Sequence, residues 1–241
     1  MKSKRYYIII SLVSMVFLSS CENSWMNCIK GNNRITREAR NIGDFTNLSC
    51  YGDFVVLVYK TQSSSLHIDA DDNLLQYIET FIQGPTLIIQ TQDNRCIRSS
   101  KPIIITVTSP NIIELKLAGS GIIYCDSLNS SELKYTLDGS GIIDSRGLTT
   151  DFFEVNLSGS GDIKLDGFAT QTDFSISGSG NIRAINLEQD KCYANISGSG
   201  NIFTFVNDRL DVLITGSGSV FYKGSPLIDS KVTGSGRVLV Y

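Results

Sequence analysis

The stretch Leu157-Ser-Gly-Ser-Gly-Asp-Ile163 recurs almost unchanged as Ile176-Ser-Gly-Ser-Gly-Asn-Ile182 and as Ile196-Ser-Gly-Ser-Gly-Asn-Ile202. Its central Gly-Ser-Gly occurs seven times along the chain, at 119–121, 139–141, 159–161, 178–180, 198–200, 216–218 and 234–236. Successive copies lie 18 to 20 residues apart. A nearly fixed period in this range is typical of solenoids and other repeat architectures.

The residues that flank each tripeptide alternate between aliphatic and small or polar. Two positions before it stand Leu117, Leu137, Leu157, Ile176, Ile196, Ile214 and Val232, and two positions after it stand Ile123, Ile143, Ile163, Ile182, Ile202, Val220 and Val238. Alternation with a period of two predicts β-strands that bury one face. We therefore expect these two aliphatic columns to form the core of the repeat, with Gly-Ser-Gly as the corner between two strands.

Two all-β arrangements fit a strand–corner–strand repeat. Identical columns lie on one another when successive rungs stack as parallel strands about 4.8 Å apart, which predicts a parallel β-solenoid. Seven antiparallel hairpins in a sheet or barrel are the alternative, and Asn-Gly or Asp-Gly turns would favour them. Because the repeated corner is Gly-Ser-Gly, we expect a seven-repeat solenoid over residues 111–241.

Residues 44–110 lack the tripeptide but keep the strand alternation. Phe54, Val56 and Val58 share one face of a predicted strand. Further strands are predicted over 66–70, 87–90 and 102–108. We interpret this part as irregular first rungs with a cap, because an exposed sheet edge invites aggregation and solenoids need a capping segment.

The run Asp71-Asp72-Asn73, followed by Leu74 and Leu75, predicts a short capped helix within this N-terminal part. Such a helix would help to cover the open end of the solenoid.

The beginning of the chain predicts export. Three basic residues within 1–5 precede an apolar stretch at 6–18, which is short for a membrane span and typical of a signal peptide. It ends in Leu18-Ser-Ser-Cys21, which resembles a bacterial lipobox, so we expect residues 1–20 to be removed and Cys21 to carry lipid. An ordinary signal peptide with a chance cysteine is the alternative. Glu22, in place of aspartate, predicts an outer-membrane lipoprotein on the cell surface or the periplasmic face, with 21–43 as a tether.

The mature chain is acidic. Removing residues 1–20 takes away 3 of the 21 Lys and Arg and leaves 18 against 24 Asp and Glu, a net charge of −6. This balance gives no reason to expect a nucleic-acid partner.

Five cysteines remain besides Cys21, namely Cys28, Cys50, Cys96, Cys125 and Cys192. An exported protein can form disulfides, but an odd number leaves at least one thiol free. We expect free cysteines to be buried as small apolar side chains. The spacing leaves the pairing open and contains no metal-binding pattern.

Little in the sequence suggests catalysis. His67 is the only histidine, and no corner serine lies in a Gly-x-Ser-x-Gly motif. Only Asp162 supplies a carboxylate directly after a corner, so no calcium ladder is expected, and no cofactor is predicted. The one enzyme candidate is a polysaccharide-lyase-like cluster on the outer face, comprising Asp144, Asp162, Lys164 and Arg183.

The third position after each corner changes character along the repeat. It contains Tyr124, Asp144, Lys164, Arg183, Phe203, Phe221 and Leu239 in turn. The chain offers no sequence after Tyr241 to cover the last three, so we predict that Phe203, Phe221 and Leu239, joined by Leu213, form an apolar binding patch. Its expected partner is a glycan, a host or matrix protein, or another copy of the chain. The alternative is a turn that folds back over the patch.

With these corners the chain resembles the head GIN domain family of putative auto-transporter adhesins. The Gly-Ser-Gly-Asp/Asn-Ile segments at 159–163, 178–182 and 198–202 carry the resemblance, together with 72–75, 78–80 and the opening Phe45…Gly52…Val56. It covers residues 44–241, although the first two and last two corners lack the Asp or Asn. The family implies a right-handed β-helix similar in outline to pectin lyases, without their catalytic residues, and a role in adhesion.

The sequence thus predicts a lipid-anchored envelope protein that binds a partner and catalyses no reaction. A carbohydrate-active β-helix enzyme and a purely structural lipoprotein are the alternatives.

Overall fold

The computed structural model describes residues 28–241, so Cys21 and the predicted signal peptide lie outside the described residues. The N-terminal strands are β1 (Ile29–Lys30), β2 (Ile35–Arg40), β3 (Asn47–Tyr51), β4 (Val55–Lys60), β5 (Ser65–Asp71), β6 (Ile78–Gln83), β7 (Thr86–Thr91), β8 (Ile97–Arg98) and β9 (Ile104–Ser109). The repeat comprises β10 (Glu114–Gly119), β11 (Ile122–Asp126), β12 (Asn129–Gly139), β13 (Ile142–Gly159), β14 (Asp162–Gly178), β15 (Asn181–Gly198), β16 (Asn201–Gly216), β17 (Ser219–Lys223), β18 (Leu227–Gly234) and β19 (Arg237–Val240). Two short 3-10 turns span Leu75–Tyr77 and Gln92–Asn94.

The repeat forms stacked parallel coils, which confirms the all-β solenoid prediction. From β10 to β18, each strand pairs in parallel with the equivalent strand one coil away. The corners remain in register throughout, so that Gly139 pairs with Gly159 and Gly159 with Gly178. The molecule is a β-solenoid of about six turns.

The corners stack so closely that their glycines have no room for a side chain. A Cβ on Gly159, which has a φ of +115°, would lie 2.5 Å from the carbonyl oxygen of Gly139. A Cβ on Gly161 would lie 2.6 Å from that of Gly141. These carbonyls instead accept hydrogen bonds from the next corner, where the amides of Ser160 and Gly161 donate to Gly139.

The two predicted aliphatic columns line the interior of the coils. All their members up to Ile214 and Val220 are buried. Val232 and Val238 are exceptions, because the last coil has no further coil against it in the described structure. Phe153, Phe174 and Tyr135 are the largest of the other side chains buried in the repeat.

The N-terminal part builds rungs in an order that differs from the chain order. The rung of β3 and β4 stacks in parallel on β10 and β11, and the later strands β7 and β9 stack on its other side. Antiparallel strands then cover this end, since β6 pairs with β7, β5 with β9 and β2 with β5.

The predicted capped helix is reduced to the 3-10 turn Leu75–Tyr77, and no side chain caps it. The Asp71 side chain serves another purpose. Its carboxylate accepts hydrogen bonds from the Asn33 amide at 2.7 Å and from the amide and hydroxyl of Ser100 at 2.9 and 2.7 Å. It therefore ties three separate segments together.

Part of the predicted tether is structured, because β1 and β2 lie within residues 21–43. A disulfide joins Cys28 to Cys96 beside the β1–β8 pair, with a Cα–Cα distance of 4.6 Å. Cys50, Cys125 and Cys192 are free and buried, as expected. Burial raises the pKa of Cys50 to about 12 and the pKa of the other two thiols to about 11.

Candidate functional site

One column of outward-facing side chains runs along the solenoid on the strand that follows each corner. It comprises Leu57, Tyr124, Asp144, Lys164, Arg183, Phe203, Phe221 and Leu239, which pair successively between coils. We call this column the outer stripe. Its middle is charged and both ends are apolar or aromatic.

The charged middle of the stripe borders a surface groove. Arg146 donates to Asp144 with an Nε–Oδ1 distance of 3.2 Å, and Lys164 is exposed beside them. The ion pair with Asp144 raises the pKa of the Arg146 guanidinium, so this cation remains charged at any physiological pH. The groove here has a volume of about 460 Å³.

A second groove of about 330 Å³ continues from the first, because both are lined by Asp144 and Arg146. It adds two tyrosines, Tyr59 and Tyr124, whose exposed fractions are 43% and 41%. We call the two together the binding groove. Its functional side chains are Tyr59, Tyr124, Asp126, Asp144, Arg146, Lys164, Asp166 and Arg183.

At the other end of the stripe the aromatic rings stack along the solenoid axis. The centroids of Phe203 and Phe221 are 4.9 Å apart and their planes differ by only 9°. The Arg183 guanidinium carbon lies 5.3 Å from the centroid of Phe203, and Tyr241 meets Phe203 edge to face at 6.0 Å. Both faces of Phe203 are therefore occupied within the molecule, so a sugar ring has no free face to stack on there.

The structure brings Phe203, Phe221 and Leu239 together but separates Leu213 from them. Leu213 lies on the strand before the corner, paired with Asn195 and Lys231. It lines a different groove, together with Tyr193 and Asp211.

The polar residue directly after the middle corners forms a side-chain ladder. The Asn181 amide donates to Asp162 Oδ1 at 3.1 Å, and the Asn201 amide donates to Asn181 Oδ1 at 3.1 Å. The next rung closes the ladder, because the Ser219 backbone amide donates to Asn201 Oδ1. The Asp/Asn of the repeated motif therefore links coils through hydrogen bonds.

The lyase-like set is split between the stripe and this ladder. Asp144, Lys164 and Arg183 lie in one column, while Asp162 lies one position earlier and pairs with Arg183 Nε at 3.4 Å. Both carboxylates thus have a cationic partner within the protein, so neither is left unpaired to act on a substrate.

The other residues considered for chemistry lie elsewhere. His67 is on β5, between Ala39 and Thr106, and its buried Nδ1 has no hydrogen-bond partner among the described residues. Within residues 28–241, no three His, Cys, Asp or Glu side chains cluster so as to hold a metal ion. In the same part of the chain no helix is long and apolar enough to cross a bilayer.

Sequence reasoning missed half of the binding groove. Asp126, Arg146 and Asp166 each stand five positions after a corner, two positions beyond the outer stripe on the same strand, so their 20-residue spacing was the signal that could have found them. Tyr59 precedes the first Gly-Ser-Gly, and only its pairing with Asp126 places it in the same column.

Comparison with solved structures shows the same fold in Bacteroidetes proteins. A putative adhesin from Bacteroides fragilis is similar at 25% identity with a TM-score of 0.82, over 88% of this chain and 100% of that one. A putative lipid binding protein from Parabacteroides distasonis is similar at 25% identity with a TM-score of 0.76, over 89% and 100%. A putative adhesin from Parabacteroides merdae, at 24% identity and a TM-score of 0.72 over 89% and 99%, shares the fold.

No curated protein sequence matches this chain. The family model described as putative auto-transporter adhesin, head GIN domain, matches residues 44–226. That match covers most of the chain, from the segment before β3 to the turn after β17, including six of the seven corners, and so the chain belongs to the head GIN domain family.

Proposed function

We propose that this protein is an exported lipoprotein, anchored in the outer membrane through Cys21, whose solenoid binds a glycan at the cell surface without cleaving it. The observation that carries the proposal is the binding groove, in which two exposed tyrosines adjoin three carboxylates and three cations on one face of a rigid solenoid.

The composition of the groove suits a hydroxyl-rich ligand. Tyrosine offers an apolar ring with a polar tip, and charged side chains form strong hydrogen bonds to hydroxyl groups. The three carboxylates of Asp126, Asp144 and Asp166 balance Arg146, Lys164 and Arg183, so the groove does not select strongly for one sign of charge. An extended neutral or mixed-charge polysaccharide matches this better than a polyanion.

We expect binding without turnover because the candidate carboxylates are already paired within the protein. Asp144 pairs with Arg146, and Asp162 pairs with Arg183. A glycosidase or a lyase needs a carboxyl group or another base that is free to act on the substrate. Descriptions of the family and of the similar structures as adhesins support a binding role.

The anchor is supported by the lipobox-like Leu18-Ser-Ser-Cys21 after a short apolar stretch. Metabolic labelling with a fatty-acid probe tests it. We expect the natural chain to be labelled and the Cys21→Ser variant to be unlabelled and released from membranes. Labelling that persists in Cys21→Ser would contradict lipidation at this residue, and antibody labelling of intact cells tests surface exposure.

The ligand is tested by screening the purified chain from residue 22 onward, which contains every described residue, against glycans and matrix proteins. Polysaccharide turnover is followed in the same wells. We expect saturable glycan binding without turnover. Chain cleavage would overturn the non-catalytic role, and the absence of glycan binding would favour the purely structural lipoprotein.

A protein partner is a second candidate, and the aromatic end of the stripe favours it. Phe203, Phe221 and Leu239 present ring edges and an aliphatic side chain to the surface, a pattern more typical of protein contacts than of sugar stacking. Phe221→Asp is expected to abolish binding of any matrix protein found in the screen while glycan binding persists. A matrix protein that binds the variant normally would exclude this surface.

A further inference from the structure

Among the described residues, no further strand covers the core of the last coil, which is formed by β18 and β19. On β18, Ile228 and Val232 are 42% and 40% exposed. Their equivalents one coil earlier, Leu210 and Ile214, are completely buried. The outer backbone edge of β18 is also free in the described structure, since β18 pairs only with β16.

At the N-terminal end of the solenoid, antiparallel strands cover the backbone edges of the outermost parallel strands. There, β6 pairs antiparallel with β7, and β5 pairs antiparallel with β9. Antiparallel strands added to a parallel coil are therefore compatible with its geometry. No described segment performs this role at β18.

The sequence of β18 is complementary to itself in the antiparallel direction. With Ser230 opposite the Ser230 of a second copy, Asp229 lies opposite Lys231 and Ile228 lies opposite Val232. Ile228, Ser230 and Val232 follow the buried column positions of β16, while Asp229 and Lys231 follow the outward ones. Apolar side chains thus meet apolar ones, and opposite charges meet on the outer face.

Neighbouring registers lack this match. Centring the pair on Asp229 places two aspartates opposite each other, and centring it on Lys231 places two lysines opposite each other. A shift by one residue pairs inward positions with outward ones. Of these registers, only the one centred on Ser230 pairs apolar side chains on the inner face and opposite charges on the outer face.

We propose that two copies of the chain associate end to end through β18, antiparallel and around a two-fold axis at Ser230. Such an interface is isologous, so the same residues serve both copies and the assembly closes as a dimer. It continues the sheet across the two solenoids and covers Ile228 and Val232. It also places two binding grooves on one rigid rod.

Charge reversal tests the register. Sedimentation velocity over a wide concentration range is expected to show a monomer–dimer equilibrium for the chain from residue 22. Asp229→Lys and Lys231→Asp should each weaken the dimer roughly tenfold or more, because like charges then face each other. The double variant Asp229→Lys/Lys231→Asp restores opposite charges and should restore the dimer.

Two controls separate the interface from folding. Asp229 also lies 3.8 Å from Arg209 of the preceding coil, so thermal unfolding of each variant is compared with that of the natural chain. Asp151→Lys reverses an exposed charge elsewhere and should leave the dimer unchanged. A natural chain that remains monomeric, or single reversals without effect, would overturn the proposal.

A cross-link provides a second measurement that does not depend on affinity. Residues directly opposite in an antiparallel pair have Cα atoms about 4.5–5.5 Å apart, within the range of a disulfide. Ser230→Cys is expected to form a covalent dimer on mild oxidation, while Ser140→Cys, at an exposed corner, should not. Cys50, Cys125 and Cys192 are buried and do not interfere. Equal cross-linking at both positions, or none at 230, would contradict the register.

Discussion

At the scale of single residues, the corner glycines determine how closely the coils approach. The carbonyl oxygen of Gly139 occupies the place where a side chain on Gly159 would begin, and the positive φ of Gly159 is unfavourable for any other residue. Both the backbone conformation at residue 159 and the space beside it therefore require glycine.

We expect Gly159→Ala to lower the free energy of unfolding by about 2–3 kcal/mol, through backbone strain and steric overlap. Denaturant unfolding measures the change. Gly43→Ala is the matched control, because nothing lies within 4 Å of its Cβ position and its effect should be near zero. Equal effects at the two sites would contradict the steric account.

The polar ladder beside the corners makes a smaller contribution. Asn181→Ala removes the hydrogen bonds to Asp162 and Asn201 and should cost about 1 kcal/mol of stability. Asn195→Ala, at an exposed position further along the same strand, serves as the control. Loss of equal stability in both variants would show that the ladder contributes nothing specific.

Residues that recur at every rung could be predicted from the sequence, whereas those that occur once could not. The aliphatic columns and corner glycines repeat because each coil must match the coil below it. Tyr59 lies on β4, before the first Gly-Ser-Gly, so no repeated tripeptide marks its position and its place in the binding groove depends on the pairing of β4 with β11.

At the scale of elements, two cross-links hold the N-terminal cap to the solenoid. The Cys28–Cys96 disulfide closes a long loop between β1 and β8, and Asp71 joins the end of β5 to Asn33 and Ser100. The disulfide supports the two-residue β1–β8 pair, and Asp71 supports the end of the antiparallel strand β5.

Removing the disulfide should destabilise the protein. Cys96→Ser together with Cys28→Ser is expected to lower the free energy of unfolding by about 2–4 kcal/mol, since the cross-link restricts the unfolded chain. Chemical denaturation of the natural chain with and without reductant provides the same comparison. Unchanged stability after reduction would show that the cap does not depend on the cross-link.

Acid should weaken the Asp71 junction. Burial alone would favour the neutral acid, but hydrogen bonds from Ser100 and Asn33 outweigh it and lower the pKa of Asp71. A lowered pKa contributes stability that is present above the unfolded-state pKa of about 3.9 and is lost as the pH falls through the folded-state value. Asp71→Asn should therefore be less stable than the natural chain at pH 7, and the difference should shrink in acid. A difference that is constant with pH would contradict this role.

The antiparallel cap was harder to predict than the coils. β2 lies in a segment without clear alternation, and its partner β5 is about thirty residues further along the chain. Asp71-Asp72-Asn73 has the composition of a helix cap, yet tertiary hydrogen bonds recruit Asp71 and leave only a 3-10 turn.

At the scale of the whole molecule, the two ends of the solenoid differ in how their strands are covered, and one side carries the binding groove. Antiparallel strands close the N-terminal end, while β18 and β19 leave the other end with exposed apolar side chains. The side that carries the outer stripe combines charges with tyrosines in one continuous groove. We propose that the ligand binds in this groove.

Tyr124→Ala tests whether the groove binds the ligand, with Tyr193→Ala as the matched control. The two tyrosines are equally exposed, at 41% and 42%, but Tyr193 lies outside the binding groove. Isothermal titration with the best glycan of the screen is expected to show about tenfold weaker binding for Tyr124→Ala, as the loss of an aromatic contact worth about 1.4 kcal/mol implies, and natural affinity for Tyr193→Ala. Natural affinity in Tyr124→Ala, or equal losses in both variants, would contradict the assignment of the groove.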